Sequence, residues 1–262
     1  MNDMSDYTAD LDLAVDLALR TGALLQGYFG RVSMDLKADK NAVTQADYAA
    51  EKLIVDRLKQ ARANDGIVAE EGTKIGEDKK RLWLVDPLDA TNNFAHGFWV
   101  YAVSIALVEN GQPVVGVVHA PEMDQTFHAV AGEGAFLNEQ PIHVSRVDSL
   151  DRAVCATGFP YARRTLPRNN LDEFARITMA VQGIRRVGSA ALDLCWVAAG
   201  AWDGYWELHL QPWDVAAGML ICAEACGLVT DDHGGEVDLN KPVIVATNGL
   251  IHEDLLKLVG TG

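Results

Sequence analysis

The chain has 262 residues, a formal net charge of −15 at pH 7 and a hydrophobic fraction of 49%, with an isoelectric point near 4.7. That length and apolar content suit one large domain or two tightly joined ones, with a substantial core. The acidic balance disfavours nucleic acid and anionic membrane as partners, and no apolar stretch reaches the length of a membrane span. It would also repel a phosphate substrate, so a phosphate-handling site here needs bound cations.

The polar, acidic segment Met1 to Asp10 does not read as a secretory signal. Leu11, Ala14, Val15, Ala18, Gly22, Leu25 and Phe29 follow helical spacing, with Thr8 and Asp10 as start signals. Thr44-Gln45-Ala46-Asp47 resembles a capping box and opens a second amphipathic helix through Ala50, Leu53, Ile54 and Leu58. Ile67-Val68-Ala69 is a short strand delivering Glu70 and Glu71, and Leu82–Val85 is a buried strand. From Val100 to Val144 the pattern is that of strands. Val100–Glu109 and Val114–Ala120 flank the hairpin signal Asn110-Gly111, and Ala135–Leu137 and Ile142–Val144 follow. Val154–Thr157 and Tyr205–Leu208 are further strands, with helices at Leu171–Val181 and Ser189–Ala199. Pro212-Trp213-Asp214 opens a helix over Val215–Cys226, with Gly227 as its C-cap. Strands at Leu228–Thr230 and Val243–Ala246 and a helix at Ile251–Val259 complete the chain. The mixture points to a layered α+β or α/β architecture rather than a simple parallel sheet, with a soft boundary near residues 145–152.

The chemistry concentrates in Asp86-Pro87-Leu88-Asp89-Ala90-Thr91-Asn92-Asn93-Phe94. A buried strand ends there in a stiff turn, where Asp86, Asp89 and the Leu88 carbonyl can converge. Ala90 and Thr91 then present backbone N–H groups at a helix start, a seat for phosphate. Glu70 follows one strand, the aspartates follow another, and Asp214 opens a helix. Four carboxylates without a nearby His or Cys favour Mg²⁺ or Mn²⁺ over zinc. Cys155, Cys195, Cys222 and Cys226 show no zinc or disulfide spacing and read as small thiols in a reducing cytoplasm.

This set resembles the inositol monophosphatase family of metal-dependent phosphatases. The similarity runs from Lys37, Asn41, Val43-Thr44 and Ala46-Asp47 to Gly227. It is carried most strongly by Ala69-Glu70-Glu71, the Asp86–Phe94 stretch, Gly188-Ser189-Ala190-Ala191 and Trp213-Asp214-Val215-Ala216-Ala217-Gly218, in the family's order and at matching intervals. The resemblance implies a single domain over residues 1–262 with a layered αβαβα sandwich. It further implies a homodimer and lithium-sensitive, Mg²⁺-dependent hydrolysis of a small phosphorylated polyol or sugar. It makes Glu70, Asp86, the Leu88 carbonyl, Asp89 and Asp214 metal ligands. Glu70 and Thr91 would position the attacking water, and Asp47 the water shell of a weaker third metal. The N–H groups of Ala90 and Thr91 would hold phosphate, and Ala190 and Glu207 would meet the substrate's hydroxyl side.

Two residues depart from the pattern, Ala90 and Cys226, where the family commonly has Gly. A first-turn N–H needs no positive φ, so Ala90 is expected to be sterically admissible. Plainer roles are open to individual residues: helix caps for Thr91 and Asp214, a surface ion pair for Glu207, and, for Arg185 and Arg186, solvated charge as against one of them pairing with a carboxylate at a subunit contact. Arg163, Arg164 and Arg168 form a basic cluster that would suit a second substrate phosphate. His209 is a candidate pocket residue. Inositol 1-phosphate is the leading substrate. Fructose 1,6-bisphosphate, histidinol phosphate and a 3′-phosphonucleotide are its rivals, and no aromatic platform for a base is visible. A non-catalytic metal or phosphate sensor is the reading from another class.

Overall fold

The computed structural model describes residues 7–32, 35–36 and 42–260. Lys37 and Asn41 of the family resemblance lie outside the described residues, as does most of the acidic N-terminal segment. In chain order the elements are α1 (Thr8–Tyr28), the short pair β1 (Asp35–Leu36) and β2 (Ala42–Val43), α2 (Gln45–Ala61), β3 (Gly66–Ala69), β4 (Lys74–Ile75), β5 (Arg81–Asp89), α3 (Thr91–Ala95), β6 (Ala102–Glu109), β7 (Gln112–Ala120), β8 (Gln125–Val130), β9 (Ala135–Leu137), β10 (Gln140–Pro141), β11 (Val154–Thr157), α4 (Leu171–Thr178), β12 (Gly183–Arg185), α5 (Ala190–Ala198), β13 (Gly204–Glu207), α6 (Pro212–Glu224), β14 (Leu228–Thr230), β15 (Ile244–Thr247) and α7 (His252–Val259).

Two sheets organise these elements. The larger has eight strands in the order β10-β9-β8-β7-β6-β5-β3-β4, and the smaller has five in the order β12-β11-β13-β15-β14. The large sheet is antiparallel except for β3 beside β5. Alternation along each strand divides its side chains between two cores. Ile67, Trp83, Val85, Val103 and Ile105 face α1 and α2. Val68, Leu84, Ala106 and Val118 face α5 and α6, which also cover one face of the small sheet through Ala156, Tyr205 and Ala246. Cys155, Trp206 and Val245 on the other face pack against Ile177 of α4 and Leu255 of α7. The order of layers is therefore helices, sheet, helices, sheet, helices, the expected αβαβα sandwich.

Several local expectations need correction. Residues 142–144 are not a strand, and β10 ends at Pro141. Strands β4, β8 and β12 were not anticipated. The close of α6 also differs. The Cys226 N–H donates to the Ala223 carbonyl at 3.0 Å and the Gly227 N–H to the Cys222 carbonyl at 2.9 Å. That is a Schellman ending, whose left-handed residue is Cys226 at φ +68° rather than Gly227. Gly227 is needed for space instead, since a Cβ there would lie 2.6 Å from Cys222 Sγ.

Candidate active site

The strand β5 does not end at Val85 but runs through the motif to Asp89. Asp86 pairs with Ser104 and Asp89 with Ala102, so β5 carries one extra residue over this step. That is a bulge, and Pro87, which has no N–H to give a ladder, sits inside it. Asp86 Oδ1 accepts the Leu88 N–H at 3.0 Å and closes the turn.

Ala90 follows at φ +71°, ψ +45°, in the left-handed region, before Thr91 starts α3. The expectation that this position needs no positive φ is therefore wrong. The backbone must reverse between the bulge and the helix, and holding a residue with a Cβ in that conformation costs about 1–2 kcal/mol. Ala90→Gly should relieve this, offset by about 0.4–1 kcal/mol of extra freedom in the unfolded chain. The expected net gain is about 0.5–1 kcal/mol, read as a small rise in the melting midpoint. A fall would mean that packing of the buried methyl outweighs the backbone strain.

Thr91 is the first helical residue, not an N-cap. Its Oγ1 lies 2.9 Å from Asp47 Oδ1 and 3.1 Å from the Leu88 carbonyl, one proton between two acceptors. Asp47 is fully buried and belongs to the expected capping box, its Oδ2 accepting the Thr44 N–H at 2.8 Å. It does not line the cleft, so it reaches the site only through Thr91. Burial pushes the Asp47 carboxyl up, while its bonds from Thr44 and Thr91 hold it back.

A cleft of about 600 Å³ gathers Glu70, Asp86, Leu88, Asp89, Ala90, Thr91, Ala190, Glu207 and Asp214. Glu70 leaves β3 in a turn that Glu51 of α2 pins, accepting the Glu71 N–H at 2.6 Å and the Thr73 hydroxyl at 2.6 Å. Asp89 is held from the second half of the chain. Its Oδ2 accepts from the Ser189 hydroxyl and from the Ala191 N–H at 3.0 Å. Ser189 also caps α5, accepting the Leu192 N–H at 3.2 Å. Asp214 is the third residue of α6 rather than its cap, and its Oδ2 accepts the Gln211 N–H at 2.8 Å. Glu207 ends β13 with its carboxylate against the backbone of Gly158, where a Cβ would lie 2.0 Å from Oε2. The Tyr205 hydroxyl donates to Glu207 Oε2 at 2.7 Å, so Glu207 is not a surface ion pair.

Negative charge predominates in this cleft. Burial, then the charges of Glu70, Asp89 and Asp214, push the Asp86 carboxyl well up. Burial raises Asp89 to about 6 against the bonds from Ser189 and Ala191. Asp214 is likewise pushed well up by burial, and Glu207 to about 7. Of these, Glu70, Asp86, Asp89 and Asp214 suit a divalent cation with hard oxygen preference, which would offset their mutual repulsion. They share a cleft without closing on one point, for no group of three or more ligand side chains among the described residues is in metal-binding geometry.

A family model described as the inositol monophosphatase family matches residues 6–261. The chain belongs to the inositol monophosphatase family. It is 43% identical over 256 residues to an inositol-1-monophosphatase of Mesorhizobium japonicum, covering 96% of both chains. It is 40% identical to a fructose-1,6-bisphosphatase/inositol-1-monophosphatase of Thermotoga maritima over 95% of both. The crystal structure of the extragenic suppressor protein suhB from Bartonella henselae superposes with a TM-score of 0.91 at 42% identity, covering 97% of this chain and 100% of that one. This family member is accordingly a phosphoric monoester hydrolase.

Sequence reasoning missed residues whose roles arise only from tertiary placement. Among the described residues, Arg186 is the one Lys or Arg lining the cleft, and its charge lowers the Glu207 carboxyl. Phe159 and Tyr161 also line it, aromatic surfaces that the sequence had not revealed. His209 lines it as anticipated. The Arg163–Arg168 cluster does not serve as a phosphate grip there. Arg168 is paired with Glu173 at 2.7 Å and with Asp232, and none of the three arginines lines the cleft.

Proposed function

We propose that this phosphatase hydrolyses phosphate monoesters of polyols, inositol 1-phosphate foremost, with Mg²⁺, or Mn²⁺, held by Glu70, Asp86, Asp89, Asp214 and the Leu88 carbonyl. The observation that carries the reading is the gathering of five carboxylates, Glu207 and the four named, in one cleft whose lining, among the described residues, offers a single Lys or Arg. A phosphate enters such a cleft only with cations. When bound, they polarise the water nucleophile and neutralise the phosphate and the leaving oxygen. Glu70 and Thr91 orient the water, and Asp47 fixes Thr91. The N–H groups of Ala90 and Thr91 face phosphate oxygens. Every carboxylate that the family resemblance names is present, as is Thr91, which argues against a non-catalytic sensor. A cytoplasmic homodimer and a single domain over the whole chain belong to the same proposal. No helix among the described residues is long and apolar enough to cross a membrane.

Glu207 and Ala190 supply the polyol side. A carboxylate held by Tyr205 and Gly158 accepts hydrogen bonds from substrate hydroxyls, and an unmatched partner in such a site is costly. The test is kcat/KM for inositol 1-phosphate, fructose 1,6-bisphosphate, histidinol phosphate, a 3′-phosphonucleotide and an aryl phosphate. Inositol 1-phosphate is expected to be preferred. Glu207→Ala is expected to cut its kcat/KM by roughly tenfold or more, with a smaller loss on the aryl ester. Equal fractional losses would remove Glu207 from the specificity pocket. A wild-type preference for the bisphosphate would favour that rival, with Arg186 as the available cation.

A further inference from the structure

One wall of the cleft comes from the loop between β11 and α4, through Gly158, Phe159, Pro160, Tyr161, Ala162 and Leu166. This loop is firmly seated. The fully buried Asn170 donates through Nδ2 to Thr157 Oγ1 at 2.8 Å and to the Gly158 carbonyl at 2.6 Å, and its Oδ1 accepts the Trp206 indole N–H at 2.6 Å. The Asn169 amide donates to the Arg163 carbonyl at 2.8 Å and closes the loop on itself.

Tyr161 stands at the tip of this wall. Its residue surface is 48% exposed, it lines the cleft, and its hydroxyl accepts from Asn92 Nδ2 at 3.3 Å. Asn92 is the second residue of α3, next to Thr91. The phenol is thereby tied to the start of α3, beside Thr91, and the charges that act on it are those of Asp89, Glu70 and Asp214. Burial, then the charges of Asp89, Glu70 and Asp214, raise it to about 12, so it keeps its proton in neutral solution. With Asn92 as donor, the phenolic proton has no acceptor among the described residues. A phosphate oxygen not neutralised by cations would face a strongly negative wall here. A neutral donor lining that space meets this need without adding charge.

We propose that the Tyr161 hydroxyl donates a hydrogen bond to the phosphate group of the substrate, a contact supplied by the β11–α4 loop to a seat otherwise built from β5 and α3. The inference rests on the phosphomonoesterase reading above, which places phosphate at the carboxylate cluster. Tyr161 would bind phosphate in ground and transition states alike, so its loss should appear as uniform binding.

The test compares wild type with Tyr161→Phe, which keeps the ring. Inorganic phosphate binding to the magnesium-loaded protein is measured by calorimetry, and kcat and KM are measured for inositol 1-phosphate and phenyl phosphate. The phosphate Kd and both KM values should rise together by roughly tenfold, with kcat within a fewfold and the melting midpoint unchanged. Asn92→Ala should reproduce part of the effect and add little to Tyr161→Phe, because the amide acts by orienting the phenol. A phosphate Kd within about twofold of wild type in Tyr161→Phe would overturn the proposal. So would a loss confined to inositol 1-phosphate with phosphate binding intact, which would move the contact to the polyol. If wild type binds phosphate through Tyr161 but turns over no ester, the contact stands and the phosphomonoesterase reading falls.

Discussion

Asp89→Asn and Asp214→Asn are each expected to lower kcat by roughly a thousandfold or more, the loss of about 4 kcal/mol of transition-state stabilisation. The substitution is nearly isosteric. In Asp89→Asn the new amide can still accept from Ser189 and Ala191 through its carbonyl oxygen, so the link from β5 to α5 survives. What disappears is one negative charge from a cluster whose members raise one another's carboxyl values. Folding and catalysis should therefore move in opposite directions. Without metal, Asp89→Asn should melt at or above the wild-type temperature near pH 7.5, since a repelled charge has gone. With millimolar Mg²⁺ the wild type should gain stability by mass action and the variants much less. The pH dependence has a definite sign. These carboxyls hold their protons to higher pH when folded, Asp89 to about 6, against about 3.9 unfolded. The folded cluster thus binds the extra protons, and the contribution of Asp89 to metal-free stability falls as pH rises from about 4 through 6. Mg²⁺ should flatten that fall. Near-normal turnover in either variant with metal saturating would sink the site assignment.

The fold was legible wherever a local rule and the tertiary environment agree. The apolar runs along β5 and β6 match a sheet covered on both faces, and Asn110-Gly111 forms the expected tight hairpin with both residues at positive φ. The Thr44–Asp47 capping box is present as read. Strand β8 escaped because its polar residues conceal it. His128 is buried and stacks on Phe136, while Thr126 bonds His119, so the pattern Gln-Thr-Phe-His lacks a clear apolar face. Pro87 suggested a strand end, but a bulge absorbs a proline without stopping the strand. At Ala90 the usual glycine signal for positive φ is missing, so nothing local announced the reversal. The carboxylates of the site were readable because Glu70, Asp89 and Asp214 lie at or beside an element's end and Asp86 shares the motif of Asp89. The partners of Ser189 and Arg186, and any role for Glu51 and Tyr161, were not, since each acts on a residue far away in sequence. Glu51 pins the Glu70 turn across about twenty residues, and Ser189 reaches Asp89 across about a hundred.

The second large effect is expected at Thr91, and its geometry allows catalysis to be separated from structure. The hydroxyl is enclosed between Asp47 Oδ1 and the Leu88 carbonyl, and the residue is buried. Thr91→Val keeps the β-branched shape and removes only the polar atom. Two consequences follow. Asp47 loses a donor in a site where burial already raises its carboxyl, which should cost about 1–3 kcal/mol of stability. The water that Thr91 would orient also loses its acceptor or donor, which should lower kcat by roughly a hundredfold while KM changes by less than about threefold. Thr91→Ser restores the hydroxyl and should recover most of kcat, whereas a role limited to packing would leave serine no better than valine. Asp47→Asn provides the complementary measurement. Its amide can keep the Thr44 contact through the carbonyl oxygen but presents N–H rather than an acceptor to Thr91, so the hydroxyl must turn toward the Leu88 carbonyl or the cleft. If Asp47 acts through Thr91, Asp47→Asn should slow turnover when Thr91 is intact and have little further effect in Thr91→Val. Independent, additive losses would show instead that Asp47 and Thr91 serve the site separately. A Thr91→Val enzyme with normal kcat and a raised KM would make the residue a binding group and return the orientation of water to Glu70 alone.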